Sequence, residues 1–190
     1  MAAERLEGAL TTLEPVTVER VGDLVTRFQD PWFHLSAGMR GPPDEARLRR
    51  YFAKGWLYLW DVKLVTGGPA VLLVGVGRYS GPPFLFVTSV KREMPPLDVT
   101  HDACELAVRW YFAHSDEPAL WIYPSKPVAA ELHALLIESG FDLYEYDLPG
   151  VDPEKETPYV MERHTYEAYY GSGDEDFEEN PDGADDDLER

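Results

Sequence analysis

The clearest pattern of apolar and polar positions lies late in the chain. Residues 119–123 (ALWIY) form a short apolar run rich in aromatic and β-branched side chains, which is typical of a buried strand. Apolar residues then recur at helical spacing over 128–136, and Gly140 follows where helices often end in a left-handed residue. Residues 143–147 partly alternate. The pattern therefore predicts a strand, a helix with its N-cap near Ser125, and a second strand.

The rest of the chain supplies the other elements of one domain. Alternation, helical periodicity and turn residues predict strands over 16–21, 56–65, 70–79, 84–90 and 158–163, and helices over 22–30, 45–54 and from the cap Thr100 to 111. Short Gly- and Pro-containing turns join the strands in the middle of the chain, so these should form an antiparallel meander. The predicted order is β-α-α-β-β-β-α-β-α-β-β, an α/β fold with a mixed sheet.

Residues 130–146 resemble the C-terminal half of the GNAT superfamily of N-acetyltransferases. In that family a strand is followed by N-x-x-A-x-x-L-Y-x-x-x-G-F and another strand, and the helix length, Gly140-Phe141 and the next strand match. The order of elements over roughly residues 14–165 is also that of the GNAT fold. The resemblance implies a single GNAT-like domain whose relatives transfer an acetyl group from acetyl-CoA. A strand–helix–strand unit of an unrelated α/β fold is the alternative.

The loop that would bind acetyl-CoA departs from the family pattern. The resemblance implies a Q/R-x-x-G-x-G/A loop, whose backbone N–H groups surround the pyrophosphate at a helix N-terminus. The corresponding stretch, 90–100 (VKREMPPLDVT), contains no glycine, and Pro95 and Pro96 each remove a donor. Glu93 and Asp98 place negative charge where two phosphates would bind. The sequence therefore predicts no bound cofactor, or acetyl-CoA only if a divergent loop still holds it.

The residues that the resemblance would make functional are also replaced. The family's general acid is a tyrosine four residues before the motif glycine, and Leu136 at that position cannot donate a proton. The motif asparagine falls near Ala129. His133, one turn before Leu136, could substitute, or it could be an ordinary surface histidine. Arg92, at the first position of the phosphate motif, and Thr100 remain as candidate cofactor contacts, and no catalytic residue is assigned.

Other motifs give no second site. His101 and Glu105 share a face of the predicted helix, but Cys104 does not, so a tetrahedral metal site is not expected. Gly75 and Gly77 form part of a near match to G-x-G-x-x-G, but they lie between two strands and do not open a helix. Strand packing explains them better than nucleotide binding.

Charge separates the C-terminal end from the rest of the chain. The 190 residues carry 35 acids and 17 bases, a net charge of −18, and residues 171–190 hold ten of the acids against one base. This composition predicts a disordered acidic tail over 171–190, which follows a GNAT-like domain over 14–170 and an N-terminal extension over 1–13. So negative a chain is not expected to bind nucleic acid through its phosphates.

Two features suggest contacts with other proteins. Tryptophan and tyrosine are abundant, and a fraction of them on one face would form an interaction surface. Five bases concentrate around the second predicted helix: Arg40, Arg47, Arg49, Arg50 and Lys54. They are either a solvated helix face or a local site for an anion or acidic peptide, including the protein's own tail.

The compartment follows from what the sequence lacks. Cys104 has no second cysteine for an internal disulfide, which suits a reducing environment. The start has no signal-peptide layout, and no apolar run reaches the length of a membrane helix. The sequence therefore predicts a cytoplasmic protein that does not bind membranes.

Three hypotheses about function remain open. The favoured one is a GNAT-like domain that has lost catalysis and works as a protein-binding or regulatory module. The second is an acyl-CoA-dependent N-acetyltransferase with a divergent cofactor loop. The third is an electrostatic partner of a basic protein, acting through the acidic tail. Fold alone does not decide between them.

Overall fold

The computed structural model describes residues 2–78, 81–91, 93–146, 148 and 151–171. The described strands are β1 (Leu6–Glu7), β2 (Thr11–Pro15), β3 (Leu57–Leu64), β4 (Leu72–Gly77), β5 (Phe84–Ser89), β6 (Ala119–Ile122), β7 (Asp142–Leu143) and β8 (Tyr159–Glu162). The described helices are α1 (Val21–Phe28), α2 (Pro31–Ser36), α3 (Glu45–Ala53), α4 (Leu97–His114), α5 (Ala130–Glu138) and α6 (Arg163–Tyr170). None of these helices is long and apolar enough to cross a bilayer.

The strands form one mixed sheet in the order β1-β2-β3-β4-β5-β6-β8-β7. β5 and β6 are parallel, and the other neighbouring pairs are antiparallel. The predicted α/β fold, with the order β-α-α-β-β-β-α-β-α-β-β, is confirmed, and β1, α2 and α6 are added to it. The predicted disorder of the acidic tail falls outside the described residues, apart from Gly171.

The first strand lies earlier in the chain than predicted. The residues predicted as a strand, 16–21, form a 3-10 turn and the start of α1, while β2 precedes them and pairs with β3. Asp61 of β3 gives the physical reason. Its buried carboxylate lies 2.6 Å from the guanidinium of Arg20 and 2.8 Å from that of Arg27, and the helical path after Pro15 brings both bases to it. The proposed domain boundaries, at 1–13, 14–170 and 171–190, remain a prediction.

The segment after α1 forms a second short helix, α2. Asp30 caps α2 by accepting a hydrogen bond from the N–H of Trp32 at 3.0 Å, and Pro31 fits the first turn because it lacks a donor. Phe33 is buried in the core, whereas Trp32 and Leu35 are 40% and 62% exposed.

Alternate residues of each strand face two different cores. Trp60, Val74 and Leu85 point to the side covered by α4 and α5. Leu59 and Leu73 point to the opposite side, where α1, α2 and α3 pack. The sheet therefore separates two helical layers.

α5 begins later than predicted. Ser125 forms an isolated antiparallel bridge with Glu156, and the N–H of Lys126 donates to the carbonyl of Lys155 at 2.7 Å. These backbone bonds keep the chain extended, so the helix starts at Ala130 and not near Ser125. β7 is likewise shorter than the predicted strand over 143–147.

The end of α5 is as predicted. Gly140 has a φ of +86°, the left-handed region that glycine adopts without strain. Its N–H donates to Ile137 at 3.0 Å, and the N–H of Phe141 donates to Leu136 at 2.9 Å, which is the pairing of a Schellman motif. Phe141 is buried against the same turn.

Candidate functional site

β5 and β6, the parallel pair inside the sheet, are hydrogen-bonded over a short length. The two strands pair only at 84–85 and 121–122 within the described residues, after which β6 ends before Pro124 while β5 continues to Ser89. Ligands of α/β sheets bind at the carboxyl ends of such strands, where helices begin. The opening between β5 and β6, together with the loop 90–96 and the start of α4, is therefore the candidate site.

One backbone donor in the first turn of α4, the N–H of Val99, is bound by a side chain of the helix itself. The N–H of Thr100 donates to the carbonyl of Pro96 at 3.2 Å, and its hydroxyl lies 3.4 Å from the same oxygen. Asp98 accepts a hydrogen bond from the N–H of Val99 at 2.8 Å. A helix N-terminus binds an anion through free N–H groups. Here an acidic side chain of the helix already occupies one of them.

The loop before α4 folds back on the end of β5. The hydroxyl of Ser89 donates to the carbonyl of Glu93 at 2.5 Å and accepts from the N–H of Lys91 at 3.2 Å. The loop N–H of Lys91 is therefore directed to Ser89. Arg92, the predicted first residue of the phosphate motif, lies outside the described residues.

Thr100 does not cap the helix, contrary to the prediction. α4 starts at Leu97, so Thr100 is its fourth residue and is 8% exposed. The preceding prolines explain the earlier start, because proline fits the position before a helix and has no N–H to leave unpaired. A cofactor contact through Arg92 or Thr100 stays a prediction.

A small apolar cavity lies next to the opening, between the sheet, α4 and α5. Its volume is about 60 Å³, whereas ligand pockets usually measure about 300–1,000 Å³. Apolar side chains form much of its wall: Leu85, Val87, Ile122, Leu132, Leu135 and Leu136. Cys104 also faces the cavity, and burial raises the pKa of its thiol to about 12. The thiol is therefore protonated at neutral pH and is a poor nucleophile.

The position that corresponds to the family's general acid belongs to this wall. Leu136 is 7% exposed and packs in the core. His133, the possible substitute, lies elsewhere on α5: its Nδ1 is 2.7 Å from the hydroxyl of Tyr159, and it lines an open surface depression with Lys126. Burial raises the pKa of Tyr159. Because His133 does not line the cavity, the structure does not bring it to the place of the missing tyrosine.

His101 joins α4 to the end of α5. Its Nε2 lies 2.9 Å from the hydroxyl oxygen of Ser139, and that hydroxyl donates to the carbonyl of Leu135 at 2.7 Å. Since a serine has one proton to donate, His101 is the donor in the first bond. Among the described residues no three histidine, cysteine, aspartate or glutamate side chains gather closely enough to hold a metal ion.

The β1–β2 turn holds a carboxylate that the sequence interpretation missed. Asp102 of α4 accepts hydrogen bonds from the N–H groups of Ala9 (3.0 Å), Leu10 (3.3 Å) and Thr11 (2.9 Å), and from the Thr11 hydroxyl (2.5 Å). A Cβ at Gly8 would lie 2.5 Å from the same carboxylate. The turn is therefore an anion-binding nest filled by the protein's own side chain.

A row of aromatic rings covers the face of β6 opposite α5. The centroids of successive rings are 6.0 Å apart for Phe84–Tyr123, 6.3 Å for Tyr123–Trp121, 4.9 Å for Trp121–Tyr144 and 5.5 Å for Tyr144–Tyr146. The row begins at Phe84, 6% exposed, and ends at Tyr146, 76% exposed. The four partly or fully exposed rings, Trp121, Tyr123, Tyr144 and Tyr146, are called the aromatic surface below.

The bases around α3 contact neighbouring side chains. Arg49 lies 2.7 Å from the carboxylate of Glu45, one turn earlier. The ammonium of Lys54 lies 4.5 Å from the centroid of Trp56. These local contacts favour the interpretation of this cluster as a solvated helix face. Binding of the acidic tail to it stays a prediction.

Comparison with known proteins shows the fold. No family model and no curated protein sequence matches the chain. Among solved structures, FdhC, a nucleotide-linked sugar GNAT, superimposes with a TM-score of 0.59 at 12% identity over 88% of this chain and 94% of its own. An acetyltransferase from Agrobacterium tumefaciens gives a TM-score of 0.57 at 19% identity, over 84% of this chain and 95% of its own.

A third similar structure contains coenzyme A. RimL, the ribosomal L7/L12 α-N-protein acetyltransferase in complex with coenzyme A, gives a TM-score of 0.56 at 11% identity, over 84% of this chain and 98% of its own. The chain therefore has the GNAT fold over nearly the whole length of these proteins. At such identities the likeness extends to the fold alone.

Proposed function

We propose that this chain is a GNAT-fold domain that does not transfer acetyl groups and instead works as a protein-binding or regulatory module. The observation that carries the proposal is the start of α4, where the N–H of Val99 is bound to the carboxylate of Asp98. A diphosphate that binds here would have to displace the carboxylate of Asp98 from the N–H of Val99. The displaced carboxylate would remain close to the diphosphate and repel it. Two like unit charges about 4 Å apart repel by about 4 kcal/mol at an effective dielectric constant of 20.

The neighbouring cavity supports the same conclusion. Its volume of about 60 Å³ would hold one or two water molecules and no extended acyl-CoA arm. About half of its lining residues are aliphatic; Thr100, His101, Glu105, Ser139 and Tyr170 also line it, but His101 and Ser139 are bound to each other. Opening it would expose apolar residues such as Leu85 and Leu136, which costs free energy in proportion to their area.

Acetyl transfer would also lack its proton donor. Leu136 replaces the tyrosine of the family pattern and is buried, and His133 is bound to Tyr159 away from the cavity. General acid catalysis contributes about 10²–10⁴-fold to such reactions. A domain without the phosphate contacts and without this group would be a very slow enzyme.

A calorimetric titration with acetyl-CoA tests the proposal. We expect no saturable heat at millimolar acetyl-CoA, while RimL, crystallised with coenzyme A, gives a binding curve under the same conditions. A thermal-shift measurement on the same samples provides an independent readout. Saturable binding, together with release of free CoA in the presence of a peptide amine, would contradict the proposal.

One observation favours a second candidate, an N-acetyltransferase with a divergent cofactor loop. β5 and β6 pair at only two positions each and then part, so the fold keeps an opening at the carboxyl ends of its parallel strands. In that case Arg92 and Thr100 are the residues that would contact acetyl-CoA. The titration above separates the two candidates, since the second requires saturable binding.

A further inference from the structure

We infer that the aromatic surface, together with Glu156, binds a lysine or arginine side chain in a basic peptide segment of a partner protein. The inference rests on the proposed function and names the chemistry of the partner. It is carried by the arrangement of the rings, the position of the carboxylate and the charges around them.

The rings form a corner with accessible faces. Trp121 and Tyr144 meet at an interplanar angle of 77°, and Tyr144 and Tyr146 at 68°. Rings at such angles present both a face and an edge to one volume, and a cation is attracted to the faces. Tyr146 is 76% exposed, so no part of the described chain covers the outer end of the row.

The exposed end of the row shares a depression with a carboxylate. Tyr144, Tyr146 and Glu156 line the same surface depression of about 510 Å³, a volume within the range of about 300–1,000 Å³ typical of ligand sites. Burial raises the pKa of Glu156. The pKa of Tyr123 is raised to about 12, chiefly by burial and in addition by the charge of Glu156, which links this carboxylate to the inner end of the row.

The cations nearest to Glu156 have partners of their own, and the Glu156 carboxylate accepts a hydrogen bond from the backbone of Asp152. Lys126 lines the depression, but its ammonium donates to the carbonyl of Pro153 at 2.7 Å. Lys155 is paired with Asp152 at 2.9 Å. Within the described residues no ion pair includes Glu156.

Charge complementarity selects the occupant. A second carboxylate, Glu145, lines the same depression, and the whole chain carries a net charge of −18. Aromatic rings can also stack with bases of single-stranded nucleic acid, but phosphates would be repelled by this surface. A basic peptide is attracted to it and can place an ammonium or guanidinium between the rings and Glu156.

The test titrates the full chain with a glycine–serine peptide that contains several lysines, and with its counterpart in which norleucine replaces each lysine. Tryptophan fluorescence and calorimetry follow binding at low and high salt. The variants are Tyr146→Ala and Glu156→Gln. Their matched controls are Tyr169→Ala, an exposed tyrosine of α6, and Glu131→Gln, an exposed acid of α5.

We expect the lysine peptide to bind and the norleucine peptide not to bind. Tyr146→Ala and Glu156→Gln should each weaken binding about tenfold, because each removes one side of the cation site, whereas the two controls should bind as the unaltered protein does. Binding should weaken with salt. Equal binding by all five proteins would show that the peptide binds elsewhere on the chain and would overturn the inference, as would equal binding of the norleucine peptide.

The same samples keep this inference separate from the proposed function. Each peptide is incubated with acetyl-CoA and protein, and its mass is then measured. A gain of an acetyl group would overturn the proposal of a non-catalytic domain and leave the cation site standing. Unchanged peptide mass with no effect of the two variants would overturn the cation site alone.

Discussion

The β1–β2 turn contacts α4 and the 90–96 loop leads into it, but the two differ in how their backbone N–H groups are arranged around a carboxylate. The β1–β2 turn directs three N–H groups and one hydroxyl to the carboxylate of Asp102. The 90–96 loop contains Pro95 and Pro96, and in the first turn of the helix the N–H of Val99 is bound to the carboxylate of Asp98. This difference in the arrangement of donors indicates that a helix N-terminus by itself is not sufficient to bind an anion. Donors must converge on one point and stay free of acceptors from the chain.

The comparison also separates fold from function. The turn needs a glycine for close approach and has one, Gly8, in contact with Asp102. The loop would need glycines to approach a diphosphate and has none. The sheet, the helix order and the end of α5 do not require phosphate contacts, because apolar packing and the caps determine them.

Removing the carboxylate from the nest should have the largest effect. Asp102→Ala leaves the donors of the turn without their acceptor, and Thr11 is fully buried, so we expect a loss of about 2–3 kcal/mol in the free energy of unfolding. Asp98→Ala on the same helix is the control, and it should cost less than about 1 kcal/mol. Urea unfolding of both variants measures the difference. Equal losses of unfolding free energy in the two variants would show that the β1–β2 turn does not bind its carboxylate more strongly than the start of α4 does.

A second buried carboxylate, Asp61, extends the comparison, because it is bound by two guanidinium groups, whereas Asp102 is bound chiefly by backbone N–H groups. Burial raises the pKa of Asp61, but hydrogen bonds from Arg27 and Arg20 outweigh this and hold it below its usual value. We expect Asp61→Asn to cost about 2 kcal/mol at neutral pH.

The cost of Asp61→Asn should depend on pH. A carboxyl whose pKa is lower in the folded protein stabilises the fold above its unfolded pKa, about 4, and this contribution is lost as pH falls through the folded value. The difference in unfolding free energy between the unaltered protein and the variant should therefore shrink below about pH 4. A difference that is constant from pH 7 to pH 3 would contradict this account.

Gly8→Ala tests the close approach in the turn. The added Cβ would lie 2.5 Å from the carboxylate of Asp102, which would have to move from its donors. We expect a loss of about 1 kcal/mol, less than for removal of the carboxylate, because part of the nest can re-form. Gly41→Ala, where a Cβ would meet nothing within 4 Å, is the matched control. A Gly8→Ala midpoint equal to that of Gly41→Ala would remove the argument from close approach.

Deleting residues 172–190 should have the smallest effect. Ten carboxylates in this segment repel one another, and it contains too few apolar residues to offset the entropy of ordering it. We expect the melting temperature to change by no more than about 1–2 °C, which corresponds to about 0.5 kcal/mol of unfolding free energy for a domain of this size. A large fall would show that the tail packs on the domain.

The sequence predicts the fold well where local signals agree with the long-range contacts. The local sequence Gly140-Phe141 is sufficient to predict the end of α5. The apolar run at 119–123 likewise predicts a strand that lies inside the sheet. The first strand was misplaced because residues 18–28 turn into helix and bring Arg20 and Arg27 to Asp61, a contact between residues distant in sequence. A local sequence pattern does not predict a contact between residues so far apart in the chain.

The site was only partly predictable for the same reason. The absence of glycines at 90–100 can be seen in the sequence, but the nest around Asp102 joins residues more than 90 positions apart. The convergence of Trp121 and Tyr146 with Glu156 likewise depends on the pairing of β6, β7 and β8. Composition indicates only that aromatic residues are abundant.

The most direct test of the central claim follows the backbone amides at the start of α4 by nuclear magnetic resonance during a titration with coenzyme A. The account predicts that the amide signals of Val99 and Thr100 show no saturable change, because their hydrogens are already bound to Asp98 and Pro96. Saturable shifts of these two signals, at concentrations at which RimL is also bound, would show that the loop still accepts a diphosphate and would contradict the account.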